Sequence, residues 1–419
     1  EYLRLLLHSE AEDSGELADY IPELATADPH RLAIAMTTLD GHVYSAGDTD
    51  VEFTIQSISK PFTYALAIAD RGLETVLSRI DVEPSGDAFN EISLDENTGR
   101  PRNPMINAGA IASHSLVSGA DAQQRTARIR DFYSELAGRE LSIAEDVFAS
   151  ELATANRNLA IGYMLKTVGV LDGDPQDVVR GYTRQCAIAV TVEDLAKMAA
   201  VLASGGRTPE GKRVISADIC RQVLSVMMSC GMYNSAGDWL TTVGIPAKSG
   251  VAGGILGVLP GQLGLATFSP RLDEHGNSSR GVRLFEQLNT DMGLHIMSAA
   301  STPRWDVRRR ERNGVAIQEV DGDIRFTEAE QILRSFADEP VGASAVVIDL
   351  EDVHFASSIA RRVLLEGLAR LRNDGHEIRL VDPQRVLGTG ETGTGQIMHG
   401  GEPVGGWTPQ HFETVDEAL

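Results

Sequence analysis

Runs of apolar and polar positions set the outline of the chain. Residues 31–37 and 42–56 predict two strands around Leu39-Asp40-Gly41, with Asp-Gly as the hairpin signal. Ser57 to Ala69 is rich in apolar residues and predicts a buried helix, while residues 70–180 read as mainly helical and would form a second lobe. Thr191-Val-Glu-Asp opens a helix that runs to Leu202 and closes at Gly205-Gly206. Strands return at 240–268. There the uncharged stretch from Ser249 to Phe268 carries too many glycines, with Pro260 and Gln262, for a membrane span, and reads as two buried strands joined by a turn. Beyond 310 the period changes again: Val315–Val320, Ala345–Leu350 and Glu377–Val381 predict strands, and Glu328–Phe336 and Ser357–Leu371 predict helices, the alternation of an α/β unit with a mixed sheet.

A chain of 419 residues is too long for one typical domain and can bury a core in each of two. The net charge of -23 argues against nucleic acid and anionic membranes as partners. It also leads us to expect salt tolerance, because self-repulsion at low ionic strength is relieved when the Debye length falls to about 3 Å at 1 M salt. Residues 311–419 are especially acidic, with 20 acidic against 9 basic residues. Cys186, Cys220 and Cys230 make no disulfide framework and are expected as reduced thiols of a cytoplasmic protein. Cys186 reads as a buried apolar thiol, since no His lies in a matching context. The ten His are scattered without a His-Glu-x-x-His, so no metal or other cofactor is expected. The first residue is Glu1, consistent with a trimmed N-terminus.

The chemistry concentrates at Ser57-Ile58-Ser59-Lys60, where an i, i+3 pair on one helical face sets a hydroxyl beside an amine. The chain carries 32 Arg but only 5 Lys, so a retained Lys suggests a task that guanidinium cannot perform, such as giving up its proton near neutral pH. Lys248 heads Lys248-Ser249-Gly250, which resembles the Lys-Thr-Gly strand facing Ser-x-x-Lys in serine β-lactamases and penicillin-binding proteins. Four further stretches narrow the resemblance: Leu-Ala-Asp-Tyr-Ile-Pro-Glu-Leu-Ala at 17–25, Asn-Pro-Met-Ile-Asn-Ala-Gly-Ala-Ile at 103–111, Ser-Glu-Leu-Ala-Thr-Ala-Asn-Arg-Asn at 150–158, and Gly-Tyr-Thr-Arg-Gln-Cys at 181–186. With Lys-Ser-Gly-Val-Ala-Gly-Gly at 248–254, this set resembles the serine-dependent glutaminases over roughly residues 1–300.

That resemblance implies a two-lobed, β-lactamase-like α/β fold that hydrolyses L-glutamine to L-glutamate and ammonia. Ser57 would be the nucleophile and Lys60 its base, with the backbone N–H groups of Ser57 and Val251 as oxyanion donors. Tyr20 and Tyr233 match active-site tyrosines, and either could relay a proton to the departing ammonia. Glu151 would take the substrate α-ammonium, Asn107, Asn158 and Tyr182 its carboxylate, and Gln56 would orient it, with Lys248 supplying positive charge beside Lys60. Glu23 and Ala187 depart from the common pattern at positions without an assigned role. Homo-oligomers are common in the family and are expected here.

The run Val346-Val-Ile-Asp-Leu-Glu-Asp-Val-His-Phe followed by Ala-Ser-Ser resembles the STAS domain over about 315–400. It implies a possible protein partner and places Ser358 nearest the Ser that is phosphorylated in related antagonists, with an N-cap as the alternative role. Residues 304–314 read as a charged linker and 401–419 as a polar tail. Gly388-Thr-Gly390-Glu-Thr-Gly393 fits G-x-G-x-x-G, but glycines and a Pro follow where a phosphate site needs a helix. Two functions follow: a glutamine amidohydrolase over residues 1–303 with an appended domain at 315–400, or a STAS-type partner-binding protein with a noncatalytic β-lactamase-like domain.

Overall fold

The computed structural model describes residues 2–9, 14–84, 94–95, 97–298, 306–338, 342–388, 398–399, 402–403 and 409–419. It divides into two compact units, Glu1–Gln287 and Leu288–Leu419. The G-x-G-x-x-G run falls almost wholly outside the described residues.

The first unit is built on β1 (Ala33–Thr38), β2 (Val43–Gly47), β3 (Phe53–Thr54), β4 (Ala189–Val190), β5 (Ala247–Ser249), β6 (Gly254–Leu259) and β7 (Leu263–Phe268). Five of these form an antiparallel sheet in the order β2-β1-β7-β6-β5, and β3 pairs separately with β4. All residues of β1, β6 and β7 are buried, so their sequence lacks the alternation of a half-exposed sheet. The strand expected over 42–56 stops at Gly47. Its φ of +87° takes the chain out of the ladder, and Asp48 Oδ2 then accepts from Leu32 N at 2.9 Å. The helix expected from Ser57 begins two residues later, because Gln56–Ile58 is a 3₁₀ turn leading into helix Ser59–Arg71. Likewise 240–246 is not strand, since helix Ala236–Thr242 occupies its start and β5 begins at Ala247.

The predicted second lobe is helical, comprising Asn107–Leu116, Ala122–Ala137, Glu145–Ala153, Asn156–Thr167 and Pro175–Cys186. A capping box between Thr191 and Asp194 starts helix Val192–Ala203, which packs on the sheet. One apolar cluster runs from the sheet through Ile58 and Phe62 to Tyr133 and Tyr182, so the nucleophile helix lies inside the core.

The second unit carries β8 (Asp306–Arg312), β9 (Val315–Asp321), β10 (Ala345–Asp352) and β11 (Glu377–Val381). These join a strand at Gln410–Phe412 in a mixed five-stranded sheet, antiparallel only between β8 and β9. Most of the expected linker is therefore the edge strand β8. Arg309 stacks on Phe336 at 4.7 Å, while Arg310 pairs with Glu319 at 2.6 Å and Arg312 with Asp416 at 2.8 Å. The charges that suggested a linker instead line a sheet edge, where they discourage further strand pairing. Part of the expected polar tail is structural too: Gln410–Phe412 extends the sheet, and Ala418 on helix Val415–Ala418 covers Val315, Ile317 and Val347. Ser357, not Ser358, caps helix Ser358–Asn373, accepting from Ala360 N, which leaves Ser358 as an exposed first-turn residue. Among the described residues no helix is long and apolar enough to cross a membrane.

Candidate active site

Ser57 sits in the 3₁₀ turn at the mouth of the buried helix, directly after a strained residue. Gln56 has φ +49°, a left-handed conformation costing ~1–3 kcal/mol for a residue with a side chain. Its surroundings impose that conformation. Gln56 Nε2 donates to Thr54 Oγ1 and to Glu151 Oε1, both at 3.1 Å, and Ser59 Oγ donates to the Gln56 carbonyl at 2.7 Å.

One helical turn on, Lys60 is fully buried and its Nζ donates to Asn107 Oδ1 at 2.8 Å. Burial penalises the ammonium and lowers the Lys60 pKa to about 8. Lys248, on β5, is equally buried, and both its burial and the charge of Lys60 hold its pKa well below the usual range. Its Nζ lies 4.1 Å from the centre of the Tyr233 ring and donates to Ser249 O at 2.8 Å. Tyr233, also at positive φ (+52°), donates to Ser249 O at 3.2 Å, and burial pushes its pKa up to about 12 against the opposing influence of nearby Ser57 and Ser249. The two tyrosines are thereby separated by place. Tyr233 stands between Ser57 and Lys248, whereas Tyr20 donates to Glu151 Oε1 at 2.8 Å.

Glu151 projects from helix Glu145–Ala153, and both partners of its Oε1 are neutral donors. Burial raises its pKa, and the charge of Glu23 adds to the rise. Tyr20 is 46 % exposed overall, yet its hydroxyl end is enclosed, and that burial together with Glu151 raises its pKa. Asn107 opens its helix after Ile106 and links three groups: Oδ1 accepts from Lys60 and from Tyr182 (3.4 Å), and Nδ2 donates to Asn158 Oδ1 at 3.0 Å. Tyr20, Gln56, Ser57, Asn107, Glu151, Asn158, Tyr182 and Val251 line one cavity of about 310 Å³, with Lys60, Lys248 and Tyr233 packed around the nucleophile behind it. Val251 lies in the turn joining β5 to β6. This turn closes through Gly253 N to Gly250 O at 2.9 Å and needs glycine at 253, where φ is +100° and a Cβ would stand 2.3 Å from Ser269 O.

The cavity also includes Thr154, Ala155, Arg157, Thr183 and Cys186. Four of these flank or interleave the assigned Glu151, Asn158 and Tyr182, and that adjacency was the available signal. Cys186 is buried, its thiol raised to about 12 by that burial and by Glu151, which keeps it protonated and poorly nucleophilic. Glu23, which carried no role in the sequence, is held by Ser150 Oγ at 2.7 Å near enough to Glu151 to affect its titration.

A hydroxyl beside two buried amines, facing a cavity with an acid at one end and amides at the other, suits attack on an amide of a zwitterionic amino acid. Comparison with known proteins agrees. The glutaminase family model matches residues 15–297 and the STAS domain model residues 306–388. The glutaminase of Corynebacterium glutamicum is 52% identical over 392 residues, covering 92% of this chain and 95% of its own. That of Corynebacterium efficiens is 49% identical, covering 92% and 93%. Among solved structures, Mglu in its glutamate form is 42% identical with a TM-score of 0.70, covering 92% of this chain and 98% of its own. Mglu in its native form in 4.3 M NaCl is 43% identical at the same TM-score and coverage.

Proposed function

The chain belongs to the glutaminase family, with a STAS domain following its catalytic domain, and we propose that it hydrolyses L-glutamine through a Ser57 acyl-enzyme. Neutral Lys60 takes the proton as Ser57 Oγ attacks the side-chain carboxamide carbon. The oxyanion is met by the N–H groups of Ser57 and Val251. Ammonia leaves with the proton that Lys60 took, relayed by Tyr233, whose ring faces Lys248, so that Lys60 is neutral again. Water then attacks the ester, Lys60 again accepting a proton, and as the adduct collapses Lys60 returns that proton to Ser57 Oγ and L-glutamate departs. Glu151 meets the α-ammonium, while Asn107, Asn158 and Tyr182 meet the α-carboxylate and Gln56 braces Glu151.

The observation that carries this reading is the convergence of Ser57, Asn107, Glu151, Asn158 and Tyr182 on one cavity, with Lys60 bonded to Asn107 behind it. Release of ammonia and glutamate from L-glutamine by the purified chain, with L-asparagine and a chromogenic cephalosporin as competitors, tests it. Turnover of glutamine alone supports the reading, and turnover of the cephalosporin alone contradicts it.

The net charge of -23 supports salt tolerance, and collapse of activity and solubility in molar NaCl would remove that proposal. Cytoplasmic location is supported by three free, buried cysteines, and disulfides in the native protein would oppose it. Homo-oligomerisation rests on family membership and is decided by sedimentation. For the STAS domain, a groove of about 590 Å³ lined by Arg308, Arg310, Arg312, Asp349, Glu351 and Asp416 supports a charged protein partner. Pull-down that is equally efficient after charge reversal of Arg308 and Arg310 would argue against that surface.

A further inference from the structure

The nucleophile turn is held from beneath by a chain of buried groups. Ser59 Oγ donates to the Gln56 carbonyl at 2.7 Å, Gln185 Nε2 donates to Ser59 Oγ at 3.0 Å, and His114 Nδ1 lies 2.9 Å from Gln185 Oε1. Ser59, Gln185 and His114 are all fully buried. The direction of each bond follows from the last acceptor. A carbonyl only accepts, so Ser59 donates to it. Its oxygen then accepts from Gln185, which turns the amide NH₂ toward Ser59 and the amide oxygen toward His114, so Nδ1 must carry the imidazole proton. The lone pair is left on Nε2, which has no hydrogen-bond partner, and burial lowers the His114 pKa to about 4, keeping the ring neutral. Gly181 makes room for this ring, since a Cβ there would stand 2.2 Å from Nε2. From the other side, Tyr133 donates to the Ser59 carbonyl at 2.7 Å.

We infer that His114 and Gln185 are positioning residues for the Ser57 nucleophile, acting through Ser59 on the Gln56 carbonyl; this rests on the glutaminase reading above. Neither side chain is among those lining the substrate cavity. Gln56 holds a left-handed conformation that persists only where its neighbours impose it, and Ser57 is the next residue. Releasing the Gln56 carbonyl lets the turn relax and moves Ser57 Oγ relative to Lys60, whose own place is set separately by Asn107.

The test is steady-state kinetics with L-glutamine, together with calorimetric binding of L-glutamate, on the full chain and on Ser59→Ala, His114→Leu and His114→Asn. Ser59→Ala and His114→Leu should each lower kcat about 10- to 100-fold while KM and the glutamate Kd stay within about threefold. Because the chain acts as one unit, the double variant should be within about threefold of the worse single variant. His114→Asn, whose amide can reach the position of Nδ1–H, should recover kcat to within about fivefold of the parent. A kcat within about twofold of an active parent in Ser59→Ala and His114→Leu overturns the inference and leaves the glutaminase reading standing. Losses shared by kcat, KM and glutamate binding indicate general loosening and also overturn it. A parent without glutamine turnover overturns both. Should His114→Leu fail to fold, Ser59→Ala, which removes a single oxygen, decides the matter.

Discussion

Lys60 Nζ donates to Asn107 Oδ1 across 2.8 Å, so the amine proposed as base is hydrogen-bonded to an amide proposed to hold substrate. Placing a carboxylate at that atom should therefore change proton transfer and binding together. In the parent, kcat/KM should rise with pH through the Lys60 pKa of about 8, because only the neutral amine accepts the Ser57 proton. In Asn107→Asp the new charge favours the ammonium and should move that limb upward by about 1–2 pH units, while KM rises from repulsion of the substrate carboxylate. A pH–rate series on both proteins checks this, and an unmoved limb would separate Lys60 from the titration.

Lys60→Met should exchange activity for stability. Burial holds Lys60 at about 8 against an ordinary 10.5, so the unfolded chain binds more protons in that window. The folded protein bears that penalty in full below pH 8 and loses it as pH rises toward 10.5. Removing the amine should thus stabilise the protein by up to ~3 kcal/mol at neutral pH, less whatever Asn107 loses as a partner, and the gain should fade between pH 8 and pH 10.5. Denaturant titrations of parent and variant at pH 7 and pH 10.5 read the difference, while glutamine turnover should fall about 10³-fold.

The role of Glu151 can be isolated with a substrate lacking the α-amino group. Glu151→Gln should cut kcat/KM for L-glutamine by about 10²-fold, through loss of a charge-assisted bond, and leave the des-amino analogue within about threefold. Equal losses on both compounds would assign Glu151 to shaping the cavity instead.

Gly253→Ala tests the turn that presents Val251. With φ at +100° and a Cβ 2.3 Å from Ser269 O, the substitution should cost ~2 kcal/mol or more and depress kcat in the protein that still folds. Thermal melts and kcat measured on the same preparation check it.

Much of the site was legible because its chemistry is unusual for this chain. Five lysines against 32 arginines made Lys60 and Lys248 conspicuous, and the Asn107, Glu151 and Tyr182 stretches carried distinctive neighbours. Glu23 was not legible, because its effect depends on a helix-to-helix approach that brings it to Ser150 and Glu151. Neither was the separation of Tyr20 from Tyr233, which depends on which ring lies against Lys248 and which hydroxyl meets Glu151. In the second domain, β8 was misread because Val-Arg-Arg-Arg-Glu-Arg has no apolar alternation; its pairing with β9 makes it a strand. The strand at Gln410–Phe412 is equally polar and is defined by β11.

The most direct measurement is ammonia release from L-glutamine by Ser57→Ala beside the parent, with folding verified on both. Catalysis through a Ser57 acyl-enzyme predicts a kcat at least about 10³-fold below the parent, with L-glutamate still bound in the intact cavity. A folded Ser57→Ala that turns over glutamine within about tenfold of the parent would contradict that chemistry and assign the nucleophile elsewhere.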